Sequence, residues 1–268
     1  MSDDYKLIYP IKSFKDALDD NVRYDGRKFN AYRPLTITTG SFTNAKGSSC
    51  VKIGNTNIAC GVRAEFAKPN PGSPSKGYVV SNVDMSFLST SAKPKLRMTS
   101  DMINSLIYNI LVDQSVIKLE QLCIQRKKLV WVLFIDIICL EIDGGLLSTA
   151  MIACIAALKD LKLPKVIYDT DTDKIEIDDD FHKLSLGRSP TLSTYSIFEE
   201  KVLMDPSAEE EHIAHSQVAI GVVNDSIGLF IKSGGEPVHI DQLNSCIVDA
   251  ARRDVEVTSI INTVTNDI

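Results

Sequence analysis

The sequence predicts an α+β fold in two related halves, with mixed sheets and buried helices. Three observations indicate this class. Strand-like segments fall into two groups, and no single short period repeats along the chain. Between the groups, residues 129–140 are apolar on both faces, as in a central buried strand. The helical segment that follows is apolar on nearly every side, so it must lie inside the fold.

The elements of the first half can be assigned in order. Phe14 and Leu18 lie four residues apart, which predicts a short helix over residues 10–20. Three strands are predicted in "LTITTGSF", "SSCVKIGN" and "TNIACGVRAEF", with glycines as turn signals. The Pro-, Gly- and Ser-rich residues 68–77 predict an exposed loop. An extended segment, "YVVSNVDMSF", and a helix over Ser100–Val112 follow.

The stretch "DGGLLSTAMIACIAALKDLKLP" combines a glycine turn with the buried helix. Two glycines let a backbone approach a phosphate closely, and a helix N-terminus offers free N–H groups. Leu146 and Leu147, however, can neither pair with an oxyanion nor donate a hydrogen bond to it. Ser148 is well placed as the N-cap of the helix, a role that serine favours over ligand binding.

The second half contains mainly strands. They are predicted in "KVIY", "KIEI", "SPTLSTYSIF", "KVLMD", "SQVAIGVVN" and "IGLFIK". A final helix is predicted from about Ile240 to Ile261. We interpret residues 1–268 as one domain whose halves cover about 20–165 and 166–268.

Composition limits the function classes. Of the 268 residues, 44% are hydrophobic and 24% charged, as in a soluble globular protein. The formal net charge of −6 excludes a surface that attracts nucleic acid everywhere, so any such contact must be local. The N-terminus lacks a signal-peptide pattern, and the longest apolar run is too short to cross a bilayer, so no membrane partner is expected.

The cysteines indicate reduced thiols. No C-x-x-C pair occurs, and most of the six lie in apolar runs, which argues against a disulfide or zinc framework. They are Cys50, Cys60, Cys123, Cys139, Cys154 and Cys246.

Six segments together resemble the RNase PH-like subunits of the RNA exosome. They are "RYDGR", "GSSCVKIGNTNIACGVRAEF", "KGYVVSNVD", "LCIQRKKLVWVLFIDIICLEIDGG", "AALKDLKLP" and "DPSAEEEHIA". They occur in the family's order from about residue 14 to residue 260, and the likeness is greatest to a non-catalytic ring subunit of the eukaryotic complex. The resemblance implies the RNase PH-like fold.

The resemblance also implies that the chain is not an enzyme and needs no cofactor. Phosphorolytic members have Asp-Gly-Gly-Thr-Arg at this turn, where Thr and Arg hold the attacking phosphate. Gly144 and Gly145 are kept here, but Leu146 and Leu147 replace those ligands. Such members also carry two acids six residues apart, which match Glu211 and Gln217. Losing the phosphate site and one acid removes most transition-state stabilisation.

The partners implied by the resemblance are other RNase PH-like subunits in a heterohexameric ring. Cap proteins with OB-fold and KH domains, an associated hydrolytic nuclease and single-stranded RNA complete the expected assembly. The function expected of the chain is to build the ring and its RNA path, supporting 3′ to 5′ RNA processing and degradation. Localisation is expected in the nucleus, the nucleolus and the cytoplasm.

Candidate RNA contacts are basic residues in the first half. Lys93, Lys95 and Arg97 are grouped without an acidic neighbour, and Arg63 and Lys68 flank the strand that leads to the Pro-rich loop. Scattered surface charge would explain these residues equally well. RNA contact stays an equal alternative because phosphate binding needs only a few such groups. No feature indicates base reading, so contact should be independent of RNA sequence.

Some features remain open to an alternative interpretation. The Gly-Gly turn and one surviving carboxylate allow a divergent phosphorolytic 3′ to 5′ exoribonuclease that uses Ser148, Thr149 and Glu211. Asp136 within the apolar run is either a catalytic acid or a buried carboxylate satisfied by the backbone or a basic neighbour; the second interpretation is favoured because buried charges are normally paired.

Two metal-like patterns favour ordinary surface structure. His212 and His215 lack further ligands at suitable spacing, so a solvated acidic turn is favoured and no metal is predicted. Residues 169–180 place Asp at calcium-loop positions 1, 3 and 5, but Lys174 replaces the required glycine and Asp180 the final glutamate. A charged surface hairpin is favoured there.

Overall fold

The structure, a computed structural model, describes residues 9–86, 98–169, 174–187 and 189–266. The helices are α1 (Pro10–Asp19), α2 (Ser100–Tyr108), α3 (Leu146–Asp160), α4 (Ala208–Ile213) and α5 (Ile240–Asn266). The strands are β1 (Leu35–Thr39), β2 (Gly47–Ile53), β3 (Thr56–Ala67), β4 (Tyr78–Asp84), β5 (Cys123–Gln125), β6 (Leu129–Glu141), β7 (Lys162–Asp169), β8 (Lys174–Lys183), β9 (Thr191–Phe198), β10 (Lys201–Met204), β11 (Ser216–Val223) and β12 (Ser226–Gly234).

The first half is built on a six-stranded mixed sheet. Its strands lie in the order β1-β2-β3-β6-β4, and β5 also pairs with β6. The β4–β6 pair is parallel, whereas the other pairs are antiparallel. Val62, Ile135 and Ile137 point to one face and are fully buried, whereas Arg63 and Asp136 point to the other. The period of two along each strand therefore separates a core face from an outer face.

Helix α3 lies between the two main sheets. It packs on β2 and β3 on one side and on β9 on the other, which explains why every residue from Leu146 to Leu158 is buried. Gly47 allows the close approach to β2, because a Cβ atom there would lie 2.5 Å from the Ala157 carbonyl oxygen. The helix is thus shared by the cores of both halves.

The second half is built on a four-stranded antiparallel sheet in the order β10-β9-β11-β12. Helix α5 packs against β9 and β11. Helix α1 joins this half although it comes first in the chain, because Phe14 and Leu18 pack with Phe198 and Leu203. Strands β7 and β8 form a separate antiparallel ribbon. In chain order this ribbon comes between α3 and β9.

The predicted α+β class with mixed sheets and a buried helix is confirmed, and three local predictions need correction. The helix predicted to Val112 ends as α2 at Tyr108 and continues as a π-helical turn over Asn109–Asp113. Helix α3 begins at Leu146, before Ser148. The acidic turn around His212 contains the short helix α4, which was not predicted from the sequence.

The cysteine thiols are free among the described residues, and the burial of four of them predicts low reactivity at those positions. Cys60, Cys139, Cys154 and Cys246 are fully buried, and burial raises the pKa of Cys139 to about 11 and that of Cys246 to about 12. A thiol reagent at a pH of about 8 should therefore label only Cys50 and Cys123 in the folded chain, and all the cysteines after denaturation. Rapid native labelling of Cys246, located by mass spectrometry, would contradict this arrangement.

Candidate functional site

The glycine turn before α3 adopts a left-handed backbone. Gly144 and Gly145 have φ values of +74° and +63°, a region that glycine reaches without steric cost. A Cβ atom on Gly144 would lie 2.3 Å from the Pro206 carbonyl oxygen, so the turn fits closely against the segment before α4. The Thr56 hydroxyl holds the turn by donating to the Gly144 carbonyl at 2.7 Å.

The start of α3 differs from the predicted N-cap at Ser148. Gly145 occupies the cap position, because its left-handed conformation leads the chain directly into the helix at Leu146. The hydroxyls of Ser148 and Thr149 both donate back to the Gly145 carbonyl oxygen at 2.8 Å. These two hydroxyls are buried and engaged with the backbone of their own helix.

The degenerate phosphate and acid positions meet at this turn. The Gly145 N–H donates to Glu211 Oε1 at 2.8 Å, so a carboxylate of the chain itself occupies the helix N-terminus. Gln217 Nε2 donates to the Glu211 carbonyl oxygen at 2.9 Å. Leu146, Leu147, Glu211 and Gln217 line one cavity of about 60 Å³. An anion entering there would meet two leucine side chains and a carboxylate.

A buried arginine links the turn to the second half. Arg33 Nη2 lies 2.7 Å from Asp205 Oδ1, and Arg33 Nε lies 2.9 Å from Asp205 Oδ2. Arg33 also donates to the carbonyl oxygens of Asp143 and Gly144. Its guanidinium is therefore fully used in joining the glycine turn to the β10–α4 connection.

A second arginine contacts the same connection. Arg23 is completely buried and forms a bidentate pair with Glu210, with distances of 2.8 Å for Nε–Oε1 and 2.5 Å for Nη2–Oε2. It also donates to the Met204 and Asp205 carbonyl oxygens. Asp205 has a left-handed φ of +47°, which its hydrogen bonds to Arg33 hold in place. We refer to Arg23, Arg33, Asp205 and Glu210 as the arginine lock.

The arginine lock predicts acid sensitivity. Burial raises the pKa of the Asp205 carboxyl, but pairing with Arg33 outweighs burial and holds that pKa below its ordinary value. A lowered folded-state pKa adds stability above the unfolded-state pKa, and this contribution is lost as the pH falls through the folded-state pKa. The free energy of unfolding should therefore decrease below a pH of about 4, and Asp205→Asn should flatten that decrease. Urea unfolding across this pH range measures both, with Asp178→Asn on the exposed ribbon as the control. An equal slope in Asp205→Asn and the native chain would contradict this role.

The predicted RNA-contact residues lie in different places. Arg63 is on the outer face of the first sheet, where it pairs with Asp136 at 3.1 Å and lies over the Phe134 ring at 5.6 Å. Lys68 is exposed in the loop after β3. Lys93, Lys95 and Arg97 lie outside the described residues.

Asp136 is only partly as predicted. It pairs with a basic neighbour, Arg63, but its side chain is 36% exposed rather than buried, because it points away from the core face of β6.

His215 Nδ1 lies 2.8 Å from Glu236 Oε2. Within the described ranges, no cluster of three or more His, Cys, Asp or Glu side chains could hold a metal ion. No helix in the same part of the chain is long and apolar enough to cross a membrane.

The arginine lock was not predicted from the sequence as part of the site. Arg23 lies within "RYDGR" and Asp205 within "DPSAEEEHIA", two segments that carried the resemblance. Their place in these segments was the available signal, whereas the burial of Arg23, which requires an acidic partner, does not show in the sequence. Sequence alone could not pair residues that are 172 and 187 positions apart.

Comparison with known proteins gives consistent matches in sequence and structure. Residues 31–164 match the family model described as 3′ exoribonuclease family, domain 1, and residues 189–253 match domain 2 of that family. The exosome complex component rrp43 of Schizosaccharomyces pombe is 34% identical over 254 residues, covering 91% of this chain and 92% of that protein. The exosome complex component Rrp42 of Methanothermobacter thermautotrophicus is 32% identical, covering 84% and 83%.

A solved structure agrees with these sequence matches. A chain of the Archaeoglobus fulgidus exosome with RNA bound to the active site superposes with a TM-score of 0.80 at 25% identity, covering 93% of this chain and 96% of that one. The predicted RNase PH-like fold is therefore confirmed. The chain belongs to the RNase PH-like 3′ exoribonuclease family.

Proposed function

We propose that this chain is a non-catalytic ring subunit of the RNA exosome that supports 3′ to 5′ RNA processing and degradation. Its relatives from S. pombe and M. thermautotrophicus are exosome components, and they match along nearly the whole chain. The proposed partners are other RNase PH-like subunits in a heterohexameric ring, OB-fold and KH-domain cap proteins, a hydrolytic nuclease and single-stranded RNA. We also propose that it resides in the nucleus, nucleolus and cytoplasm, which a fluorescent fusion would test.

The contact between the Gly145 N–H and Glu211 carries the proposed lack of catalysis. Phosphorolysis requires inorganic phosphate as the attacking group, so a phosphorolytic site must neutralise an incoming anion. Here the helix N-terminus already holds a carboxylate, and Leu146 and Leu147 supply neither a hydroxyl nor a cation. An added phosphate would be repelled by Glu211 and would gain no compensating contact from the leucines.

The alternative exoribonuclease would need Ser148, Thr149 and Glu211 to act on substrate. All three have intramolecular partners at the turn: both hydroxyls donate to the Gly145 carbonyl oxygen, and Glu211 accepts from the Gly145 N–H. A phosphate could accept from these hydroxyls only if they released the Gly145 carbonyl oxygen, and it would compete with Glu211 for the Gly145 N–H. The geometry therefore favours a structural role for the turn.

The first test is the composition of the complex recovered with the tagged chain from its own cells. Five further RNase PH-like chains with cap proteins are expected; a monomer or a ring of identical copies would overturn the proposal.

A second assay supplies single-stranded RNA, inorganic phosphate and Mg²⁺ to the chain alone and to a ring reconstituted from RNase PH-like chains only. No nucleoside diphosphate above background is expected from the chain alone. If the ring releases nucleoside diphosphate and this release disappears in the Glu211→Gln variant, the result would support the alternative enzyme.

A further inference from the structure

Two chain segments bring six basic residues to one side of the molecule. Residues 68–78 and 118–128 contain six basic residues and one acidic residue, Glu120, although the whole chain has a formal net charge of −6. Each of the six is exposed. They are Lys68, Lys76, Lys118, Arg126, Lys127 and Lys128, and we call them the basic turn surface.

Contacts between the two segments make this surface continuous. The Lys127 N–H at the β5–β6 turn donates to the Pro74 carbonyl oxygen at 2.9 Å. The Gly77 N–H donates to the Leu119 carbonyl oxygen at 3.0 Å. Lys76 Nζ lies 3.4 Å from Glu120 Oε1, which places its charge close to Lys118. The Tyr78 hydroxyl donates to the Lys68 carbonyl oxygen at 3.3 Å, so Lys68 borders the same surface.

The backbone beneath these charges is held firmly. A Cβ atom on Gly77 would lie 2.4 Å from Leu122 Cβ and 2.5 Å from the Trp131 carbonyl oxygen, so the Pro-rich loop packs directly on the core. Lys127 has a φ of +65°, a conformation that costs energy in a non-glycine residue and is kept here by the bond to Pro74. A ligand would therefore meet a backbone that needs little further ordering.

The composition of the surface favours a polyanion over a protein partner. Arg126 and Lys127 form no ion pair with any described residue, so their charges remain available to a ligand. Residues 68–78 and 118–128 contain none of the exposed large hydrophobic side chains found elsewhere in the described chain. Stable protein interfaces usually need such apolar or aromatic anchors at their centre, whereas phosphate contacts need mainly Lys and Arg.

We propose that the basic turn surface binds the phosphate backbone of single-stranded RNA without reading its bases. This inference rests on the proposed exosome role and gives it a location. It adds Lys118, Arg126, Lys127 and Lys128 to the candidate contacts and retains Lys68 among those predicted from the sequence. Arg63 is excluded from the surface, because it is committed to Asp136 on the outer face of β3.

The test uses the complete complex assembled with the triple variant Lys118→Gln, Arg126→Gln and Lys127→Asn. Asparagine is chosen at 127 because it tolerates the left-handed backbone. The affinity for a labelled oligouridylate of about 30 nucleotides is measured between about 0.05 and 0.2 M salt. The slope of log affinity against log salt concentration should decrease in magnitude by about 2, or about 0.7 for each lost phosphate contact. The affinity of the variant complex should be weaker by about tenfold or more.

Matched controls separate this surface from general charge loss. The variant Lys12→Gln, Lys28→Gln and Lys232→Gln removes the same charge from exposed positions elsewhere and should leave the slope unchanged. Arg126→Gln alone should reduce the slope by about 0.7, which keeps the test decisive if the triple variant assembles poorly.

Three outcomes would overturn the proposal or the role on which it rests. Native affinity and slope in an assembled variant complex would refute the RNA site and leave the ring role intact. Loss of a protein component at unchanged RNA affinity would show that the surface binds a protein instead. If the native tagged chain recovers no RNase PH-like partners, the ring role itself fails.

Discussion

Replacing Arg23 by alanine is expected to lower the free energy of unfolding by about 3–5 kcal/mol, measured by urea denaturation. The side chains of Arg23 and Glu210 are 0% and 2% exposed, so the substitution leaves a buried carboxylate without its cation. The Met204 and Asp205 carbonyl oxygens also lose a donor. Arg23→Lys should recover only part of the loss, because a lysine cannot form the bidentate pair.

The exposed pair between Lys15 and Glu199 provides the control. Its atoms also lie within hydrogen-bond distance, at 2.9 Å, but the side chains are 45% and 69% exposed. Water screens such pairs, so Lys15→Ala should change stability far less than Arg23→Ala. Equal effects of the two substitutions would show that the arginine lock does not contribute through its burial.

Replacing Gly144 by alanine should cost about 4 kcal/mol, among the largest single-residue effects. The new methyl group would meet the Pro206 carbonyl oxygen at 2.3 Å, and the backbone φ of +74° is strained for alanine. Separating the two segments would also break the contact between the Gly145 N–H and Glu211. Thermal or urea unfolding measures the loss.

Gly26 gives a control that isolates the backbone contribution. It has a φ of +78°, close to that of Gly144, but nothing lies within 4 Å of a Cβ atom built there. Gly26→Ala should therefore cost only about 1–2 kcal/mol for the left-handed conformation. A similar loss in both variants would mean that the turn does not pack against Pro206 as described.

The long elements of this fold could be predicted because their patterns are local. The apolar run of β6 and the all-round apolar α3 identify themselves as buried, and the glycine signals separate β1, β2 and β3. Element ends were less predictable. Ser148 has the chemistry of an N-cap, but left-handed Gly145 takes that position and moves the helix start to Leu146.

The glycine turn could be predicted as a candidate site, but the position of the Glu211 carboxylate within it could not. The resemblance aligned Glu211 with an acid of the family, but only the fold shows that its carboxylate accepts from the Gly145 N–H. The arginine lock depends on pairs that are distant in sequence and on a backbone φ of +47° at Asp205. The predicted burial of Asp136 was wrong because an apolar run does not reveal which strand face is covered.

Helix α3 makes the two halves depend on each other during synthesis. The ribosome completes α3 and the six-stranded sheet before β9, which must cover the helix's other side, has been made. Until then, a helix that is buried from Leu146 to Leu158 in the finished chain has one apolar side exposed. The nascent first half should therefore require a chaperone, and a fragment ending near residue 165 should aggregate rather than fold.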